Sequence, residues 1–472
     1  MTSSVALIDP LAEIDGRKVF FLRDTFGGEV PLSCPYPPLE LAFAASLLRD
    51  GGHDCELVAA NVKGFSHAVV AQKLQKTSPS FVLVPSAWGS LDDDRRLLET
   101  LRATLPDSVL CISGPNVTAS AARVVSESEA DVVIRGEPEE AIRLLADGVP
   151  WNDIPNLAFM NGSEVQLTER RLPPGWMTQP MPARDLLDLS LYTIPFARRG
   201  PATTVLTTRG CAHTCTFCPS QIWHHREVRS RPIDLVVAEF EELVGRYGIR
   251  EIHFRDDTFT GDHERVHALC DAMDSAGLEL SWRCFGTVST VNIELLQRMN
   301  ASGCFQVCYG FESGDDAVLK RTGKGTTVSQ GVDAARWTHE AGMEVSGTFM
   351  VGLEGATANS VNKSISFAIG NDLDYVQVNV AVPLPTTGFG KRHDRQGLDS
   401  RPEEFRWIGA DPSESTTMPT EKMSHQVRRF YRRFYLRPGY VAGRLTSRRG
   451  LHALFSHARL GGRMVKAIAM SR

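Results

Sequence analysis

Two stretches of the chain alternate short apolar runs with amphipathic ones, at a spacing that suits strand, loop, helix, strand units. In the first, apolar runs at 18–22, 55–59, 81–85, 109–113 and 131–135 predict five strands, and amphipathic segments at 39–50, 66–76, 93–104, 119–127 and 139–147 predict helices. Strands rich in Val, Phe, Leu and Ile, each followed by a helix, predict an α/β domain built on a parallel, doubly wound sheet. Ligands of such sheets sit at the strands' carboxyl ends.

From about residue 203 a second alternation predicts strands at 204–208, 251–254, 280–284, 306–310, 344–351 and 375–382. The helix after the first is the clearest. Pro232 suits a first helical position, Ile233, Val236, Val237, Phe240, Leu243, Val244 and Tyr247 form one apolar face, and Gly248 supplies the stop. Six βα units predict a partial parallel barrel, in which chemistry gathers on the loops after the strands. Residues 150–200, proline-rich and weakly periodic, read as a connector. The predicted division is therefore 1–149 for the sheet domain, 150–200 for the connector, 201–390 for the barrel and 391–472 for a helical extension.

That extension carries thirteen Lys and Arg against one acidic residue from 421 to 472, with aromatics interleaved in Arg428-Arg-Phe-Tyr-Arg-Arg-Phe-Tyr435. A nucleic-acid or acidic-lipid patch is one reading. The other is a basic amphipathic helix that packs its Phe and Tyr side chains on the barrel.

Composition narrows the class. The 472 residues hold 51 Lys and Arg against 56 Asp and Glu, a formal charge of −5, with 42% hydrophobic and 23% charged residues; this excludes a disordered or collagen-like chain. No apolar run approaches the roughly 18 residues that cross a bilayer, and the first ten residues lack the basic and apolar regions of a signal peptide, so the expected location is the cytoplasm. Ten cysteines are too few for a disulfide scaffold. Three of them fall within eight positions, which in a reducing compartment points to metal binding or catalysis.

Those three lie in Thr207-Thr-Arg-Gly-Cys211-Ala-His-Thr-Cys215-Thr-Phe-Cys218-Pro-Ser, a C-x3-C-x2-C loop directly after the first barrel strand. Three thiolates on one short loop suit three corners of a cubane iron–sulfur cluster and leave the fourth iron open to a small chelating molecule. Structural zinc would need a fourth ligand, which His213, His224 or His225 would have to supply, and no second Cys pair follows at finger-like spacing.

This loop, with Phe217 before its last cysteine and six βα units behind it, resembles the signature of the radical S-adenosylmethionine (SAM) superfamily. The resemblance implies that Cys211, Cys215 and Cys218 hold a 4Fe-4S cluster, that the open iron binds the amino and carboxylate groups of SAM, and that electron transfer cleaves SAM to methionine and a 5′-deoxyadenosyl radical. It sets Phe217 near the adenine. Arg255-Asp-Asp-Thr-Phe259, Tyr309-Gly-Phe-Glu-Ser-Gly314 and Met350-Val-Gly-Leu-Glu-Gly355 resemble family motifs after the second, fourth and fifth strands. By that similarity Glu312 and Ser313 touch the polar end of SAM, and the backbone of Val351, Gly352 and Leu353 touches its adenine. Asp256 and Asp257 are candidate catalytic carboxylates, for a proton, a substrate amine or a metal; strand alternation points one of them inward and leaves the other as a solvated or capping residue. Cys304 and Cys308 are expected as buried strand thiols. The chain departs from the family at Thr287 and Ser289, where Arg and Asp are frequent, and at Glu354, where Pro is usual.

A Rossmann-like domain ahead of such a barrel resembles the cobalamin-binding arrangement of the B12-dependent radical SAM class. The matching residues are Pro37-Pro-Leu-Glu-Leu-Ala-Phe-Ala-Ala45, Ser113-Gly-Pro-Asn-Val-Thr118, Asp131-Val-Val-Ile-Arg-Gly-Glu137 and Pro182-Ala-Arg-Asp-Leu-Leu-Asp188. The resemblance implies a corrin over the strand ends near Ser86, Gly114, Asn116 and Gly136. The chain has no Asp-x-His-x-x-Gly motif, so no protein imidazole is expected on cobalt, and His53 and His67 are expected at the surface. Asn116 stands where relatives commonly have His.

Together the two halves imply a cobalamin-dependent radical SAM C-methyltransferase. Methylcobalamin carries a methyl group from one SAM, the radical from a second removes hydrogen from an unactivated carbon of a small-molecule substrate, and the carbon radical collects the methyl. Members of similar length and layout modify antibiotic precursors, including those of the moenomycin and aminocoumarin pathways, so antibiotic biosynthesis is the expected setting. An electron donor such as flavodoxin or ferredoxin is implied. The nearest alternative is a B12-type radical SAM oxidoreductase or cyclase without methyl transfer. A methylthiotransferase on RNA should carry further cluster cysteines in the amino-terminal domain, where Cys34, Cys55 and Cys111 are scattered singly. A non-catalytic B12 or redox sensor that binds DNA through the basic tail would cleave no SAM.

Overall fold

A computed structural model describes residues 2–14, 17–19, 35–172, 180–194, 197–393 and 420–446. The amino-terminal unit contains β1 (Ser4–Ile8), a separate hairpin of β2 (Ala12–Ile14) and β3 (Arg17–Val19), then β4 (Asp54–Val58), β5 (Phe81–Pro85), β6 (Val109–Ser113), β7 (Val132–Ile134), β8 (Leu157–Asn161) and β9 (Glu164–Leu167). Seven of these form one sheet in the order β4-β1-β5-β6-β7-β8-β9. Alternation along the strands sends Ala6, Ile8, Val82, Val84, Leu110 and Ile112 to one layer of helices, and Val5, Leu7, Leu83 and Cys111 to the other. That is the doubly wound arrangement expected of Val- and Leu-rich strands covered on both faces.

Two expectations need correction. The first strand is Ser4–Ile8, not 18–22: Val5 to Ile8 are fully buried between β4 and β5. Of the predicted run only 18 and 19 are described in a strand, within the β2–β3 hairpin, and 20–22 lie outside the described residues. The connector also contributes structure, because β8 pairs antiparallel with β7, and β9 antiparallel with β8, to extend the sheet. Their two-residue turn, Gly162-Ser163, places a glycine with φ 62° at its first position. Asn161-Gly162 flanked by apolar residues is a hairpin signal that the proline density of the surrounding segment obscured. His53 is likewise buried rather than superficial, with Nε2 2.8 Å from Asp147.

The second unit begins with β10 (Ala202–Val205), β11 (Thr208–Arg209) and β12 (Arg229–Ser230), followed by β13 (Glu251–Phe254), β14 (Ser281–Gly286), β15 (Cys304–Glu312), β16 (Glu344–Val351) and β17 (Tyr375–Val380). A six-stranded, wholly parallel half-barrel runs β10-β13-β14-β15-β16-β17, and β11 pairs with β12 as a separate antiparallel ribbon. The helix Ile233–Gly245 buries Val236, Phe240 and Leu243 against it, as its apolar face requires. Cys304 and Cys308 are buried strand thiols.

The basic helix Thr420–Tyr435 packs its aromatics on the far edge of this sheet. Phe430 and Phe434 are buried in the core, and the Phe430 ring lies 5.1 Å from that of Phe349. Tyr435 and Tyr431 accept the backbone N–H groups of Val376 and Val378 at 3.0 and 2.9 Å, while Arg432 and Arg433 remain exposed. No helix among the described residues is long and apolar enough to cross a membrane.

Candidate active site

The cysteine loop is framed by main-chain pairing. Arg209 of β11 faces Arg229 of β12, so residues 210–228 leave and return through one ribbon. Gly210 begins the loop at φ 95°, and a Cβ there would stand 1.9 Å from the Glu227 carbonyl oxygen; only glycine lets the two stems pass this closely. Asp256 fastens the strand-to-loop crossing. It accepts the Thr207 N–H at 2.7 Å and the Thr208 hydroxyl at 2.9 Å, with a further bond from the Thr207 hydroxyl. Asp256 is 1% exposed and its carboxylate is taken up in buttressing these two threonines. Burial raises its pKa against the lowering effect of the threonine hydrogen bonds. Asp257 accepts the Gly210 N–H at 2.9 Å and lines the cleft, so neither carboxylate of the pair is simply solvated.

Within the loop, the Cys211 sulfur lies 3.5 Å from the Thr258 hydroxyl. Burial pushes the thiols of Cys215 and Cys218 up, and for Cys215 the Lys324 ammonium pulls the other way. Thiolate ligands therefore depend on nearby positive charge, which bound iron supplies. The loop is also clamped from outside: the Thr216 N–H donates to the Thr322 carbonyl at 2.8 Å, and the Phe389 N–H donates to the Thr216 carbonyl at 2.7 Å. Among the described residues no three His, Cys, Asp or Glu side chains group closely enough for a single metal ion. Of the three histidines near the loop, His224 is engaged by Glu137. Thiolates on three corners of a cubane stand farther apart than ligands of one ion, so three cysteines spread along one wrapping loop fit the cluster.

Beside the loop, β15 ends in a register shift between Gly310 and Glu312, and Glu312 sits at φ 60°. Such strain in a non-glycine residue is held by its surroundings. Lys324 Nζ lies 3.0 Å from Glu312 Oε1, with the side chains 12% and 9% exposed. Burial lowers the Lys324 pKa, but Glu312, Cys215 and Cys218 outweigh it and the net shift is upward, so this lysine stays charged. A buried carboxylate and ammonium thus stand paired beside the cluster loop. Sequence reasoning missed Lys324; its only signal is a lone cation between Gly323 and Gly325 shortly after the Glu312 motif. The Ser313 hydroxyl accepts the Asp315 N–H at 3.2 Å. Phe217 packs with Leu353, Met350, Val318 and Phe389 in one apolar cluster, which brings the aromatic of the loop to the end of β16, where Val351 is buried and Gly352 has φ 89°. Glu354, at the departure from the usual Pro, pairs with Arg392.

The loops after β5 and β6 of the amino-terminal sheet present hydroxyl and amide groups by contrast, whereas Asp9 after β1 and Glu137 after β7 are buried acidic side chains. Asn116 donates to the Ser86 hydroxyl and the Ala87 carbonyl, both at 2.8 Å, and Ser86 donates to Asp94 at 2.7 Å. Ser86 and Asn116 thus support the strand-end loops from behind. Gly114, at φ 134°, would place a Cβ 2.1 Å from the Ser86 carbonyl oxygen, so it is held to glycine. The Gly136 N–H donates to the Thr118 hydroxyl. The oxygens Ser113 Oγ, Asn61 Oδ1 and Asn116 Oδ1 are buried without a hydrogen-bond partner. Buried acceptors of this kind suit the many amide donors at the rim of a corrin.

One cleft, of about 910 Å³ and open to solvent, joins the two strand-end regions. Asp9, Asn61, Pro85, Ser113 and Pro138 line it from the first unit, and Thr204, Thr208, Arg209, Arg255 and Asp257 from the second. Ser86, Gly114, Asn116 and Gly136 do not line it, although Pro85 and Ser113 beside them do.

Comparison with known proteins finds a family match in each unit. Residues 32–146 match the B12 binding domain and residues 205–368 match the Radical SAM superfamily. An uncharacterized methyltransferase of Pyrococcus horikoshii is 29% identical over 416 residues, covering 85% of this chain and 88% of that protein. The anaerobic magnesium-protoporphyrin IX monomethyl ester cyclase of Cereibacter sphaeroides is 25% identical, covering 79% of this chain and 62% of that one. The radical SAM methyltransferase TsrM of Kitasatospora setae, solved with cobalamin and a 4Fe-4S cluster, shares the fold with a TM-score of 0.67 at 17% identity, over 84% of this chain and 76% of TsrM. A B12-binding module and a radical SAM module thus stand in one chain, and the protein belongs to the cobalamin-dependent radical SAM enzyme family.

Proposed function

We propose that the protein is a C-methyltransferase that modifies an unactivated carbon of a small molecule, an intermediate of antibiotic or other secondary metabolism. The single observation that carries this reading is the cleft shared by the carboxyl ends of both sheets, which gives one substrate access to both cofactor modules. When bound, the cluster, SAM and cobalamin supply a hydrogen-abstracting radical and a transferable methyl group. The residues of the chain bind and orient. Cys211, Cys215 and Cys218 hold the cluster, Glu312 and Lys324 seat the polar end of SAM, and Phe217 with Leu353 packs its apolar part. Asp257, in the cleft, is the carboxylate placed to hold a substrate amine or accept a proton. A small substrate also agrees with TsrM, which has been solved with tryptophan. An external one-electron donor such as flavodoxin or ferredoxin completes the cycle.

A second reading, a ring-forming oxidoreductase, rests on the cyclase relative, whose identity lies close to that of the methyltransferase relatives. The test is anaerobic reconstitution with iron, sulfide and cobalamin, followed by turnover of candidate small molecules. Formation of both S-adenosylhomocysteine and 5′-deoxyadenosine, with a product heavier by CH2, is the expected result. Deoxyadenosine without S-adenosylhomocysteine, and a product that has lost hydrogen, favours the cyclase. Cys215→Ala is expected to bring SAM cleavage to background in either case.

A further inference from the structure

We infer that Glu137, a carboxylate of the B12-binding module, positions the cluster loop of the radical SAM module and sets the register between the two cofactor sites. Glu137 follows β7 and is 2% exposed. Three side chains converge on it. Arg209 Nη1 donates at 2.9 Å, His224 Nδ1 lies 2.7 Å away, and Arg229 donates from both terminal nitrogens, one at 3.1 Å. All three belong to the cluster loop or its stems. Arg209 and Arg229 are the facing residues of the β11–β12 ribbon, and His224 ends the short helix Ser220–His224 inside the loop. One carboxylate from the other module therefore holds the loop at its entrance, at its exit and in between.

The surrounding contacts extend the clamp. Arg209 also donates to Glu139, and its guanidinium lies 5.7 Å from the Phe43 ring, whose other neighbour is Arg231 at 5.1 Å. Two glutamates of the first module thus meet two arginines of the second, with His224 Nδ1 in hydrogen-bond range of Glu137. Burial alone would raise the Glu137 pKa, but Arg209, His224 and Arg229 hold the carboxyl well below its ordinary range, so it remains an anion. Buried arginine–carboxylate forks fix geometry more strictly than apolar contacts, because a shifted partner leaves a charge unpaired. The Gly210 N–H, next to Arg209, is bound to Asp257, and Cys211 follows directly. Displacement of Arg209 is therefore transmitted to the first cluster ligand over two residues.

The inference rests on the two-cofactor reading, and the test separates the two. Full-length apoprotein, wild type and Glu137→Gln, is compared by hydrogen exchange across 208–230. Both proteins are then reconstituted with iron, sulfide and cobalamin, and the relaxation of the cob(II)alamin EPR signal is measured with the cluster oxidised and reduced. Glu137→Gln is expected to bind iron and corrinoid at wild-type stoichiometry, to exchange roughly tenfold faster over 208–230 as its charge-assisted hydrogen bonds weaken, and to lose the relaxation enhancement that the reduced cluster produces in the wild type. Glu137→Asp, which keeps the charge with a shorter reach, is expected to recover part of both signals. Unchanged exchange and unchanged relaxation would overturn the inference. Should Glu137→Gln fail to fold, Arg229→Gln is expected to speed exchange in the ribbon, and wild-type exchange there would be equally decisive against it. A wild type that binds no corrinoid refutes the two-cofactor reading, while the apoprotein exchange still decides the clamp.

Discussion

The two sheets are built from the same βα unit yet finish their carboxyl ends in opposite ways. After β5 and β6 the amino-terminal sheet ends in hydroxyl and amide groups, with Ser86, Asn116 and Ser113 buried and several oxygens left without donors. The half-barrel ends in charge, with Glu312 against Lys324 and Asp257 on the Gly210 amide. The difference matches the ligands the two modules take. A neutral end with spare acceptors suits a large corrin fringed with amides, whereas a paired carboxylate and ammonium suit the zwitterionic end of SAM. Fold alone does not dictate this; the few residues after each strand do.

The largest expected break in the contrast is Lys324→Met. It leaves the Glu312 carboxylate without its partner, which for a buried pair costs about 3–5 kcal/mol, and SAM affinity should fall with it. Thermal unfolding and calorimetric titration with SAM check both. His253, buried in β13 of the barrel, tests a charge withheld. Burial holds its pKa down, to about 4, against the raising effect of its Glu251 hydrogen bond. In the unfolded chain the imidazole gains a proton as pH falls through about 6.5, while the folded chain stays neutral until about 4. Stability should therefore decline from pH 6.5 to 4 and level off below, by up to roughly 3 kcal/mol. Denaturation midpoints measured against pH should lose that slope in His253→Gln.

On the neutral side, Gly114→Ala forces a Cβ against the Ser86 carbonyl at a φ of 134°. A cost of about 1–3 kcal/mol is expected, with corrinoid retention reduced and cluster content unchanged, read from the visible spectrum and iron analysis. The smallest effect is that of Tyr435→Phe, which removes one phenol from the Val376 backbone; about 1 kcal/mol in urea unfolding is expected.

Much of this was legible because periodicity and spacing report it. The strand runs 251–254 and 344–351 appear as read, since Ile252 and Phe254, and Val345, Phe349 and Val351, fall on the two-residue period of a strand. The cysteine loop is legible because its chemistry lies within eight consecutive positions. What escaped is long-range. Ser4–Ile8 becomes an interior strand only by pairing with β4 and β5, some 50 and 76 residues on. Asp256 and Asp257 are adjacent in sequence, and only the folded loop shows that the first ties down two threonines while the second faces the cleft. Lys324 acts on a residue 12 positions before it and Glu137 on residues 72 to 92 positions on, with no motif to announce either pairing.

The phenols of Tyr431 and Tyr435 have a consequence for how the half-barrel remains solitary. An open parallel sheet exposes a strand rim that invites any extended chain to dock. Here that rim, on β17, is answered by two side-chain oxygens one helical turn apart, each bonding an amide of the strand. The helix serves as a stopper in place of a seventh strand. A chain cut ahead of it should keep its cysteine loop and its cleft but acquire a sticky margin, self-associating through β17 before it loses any chemistry.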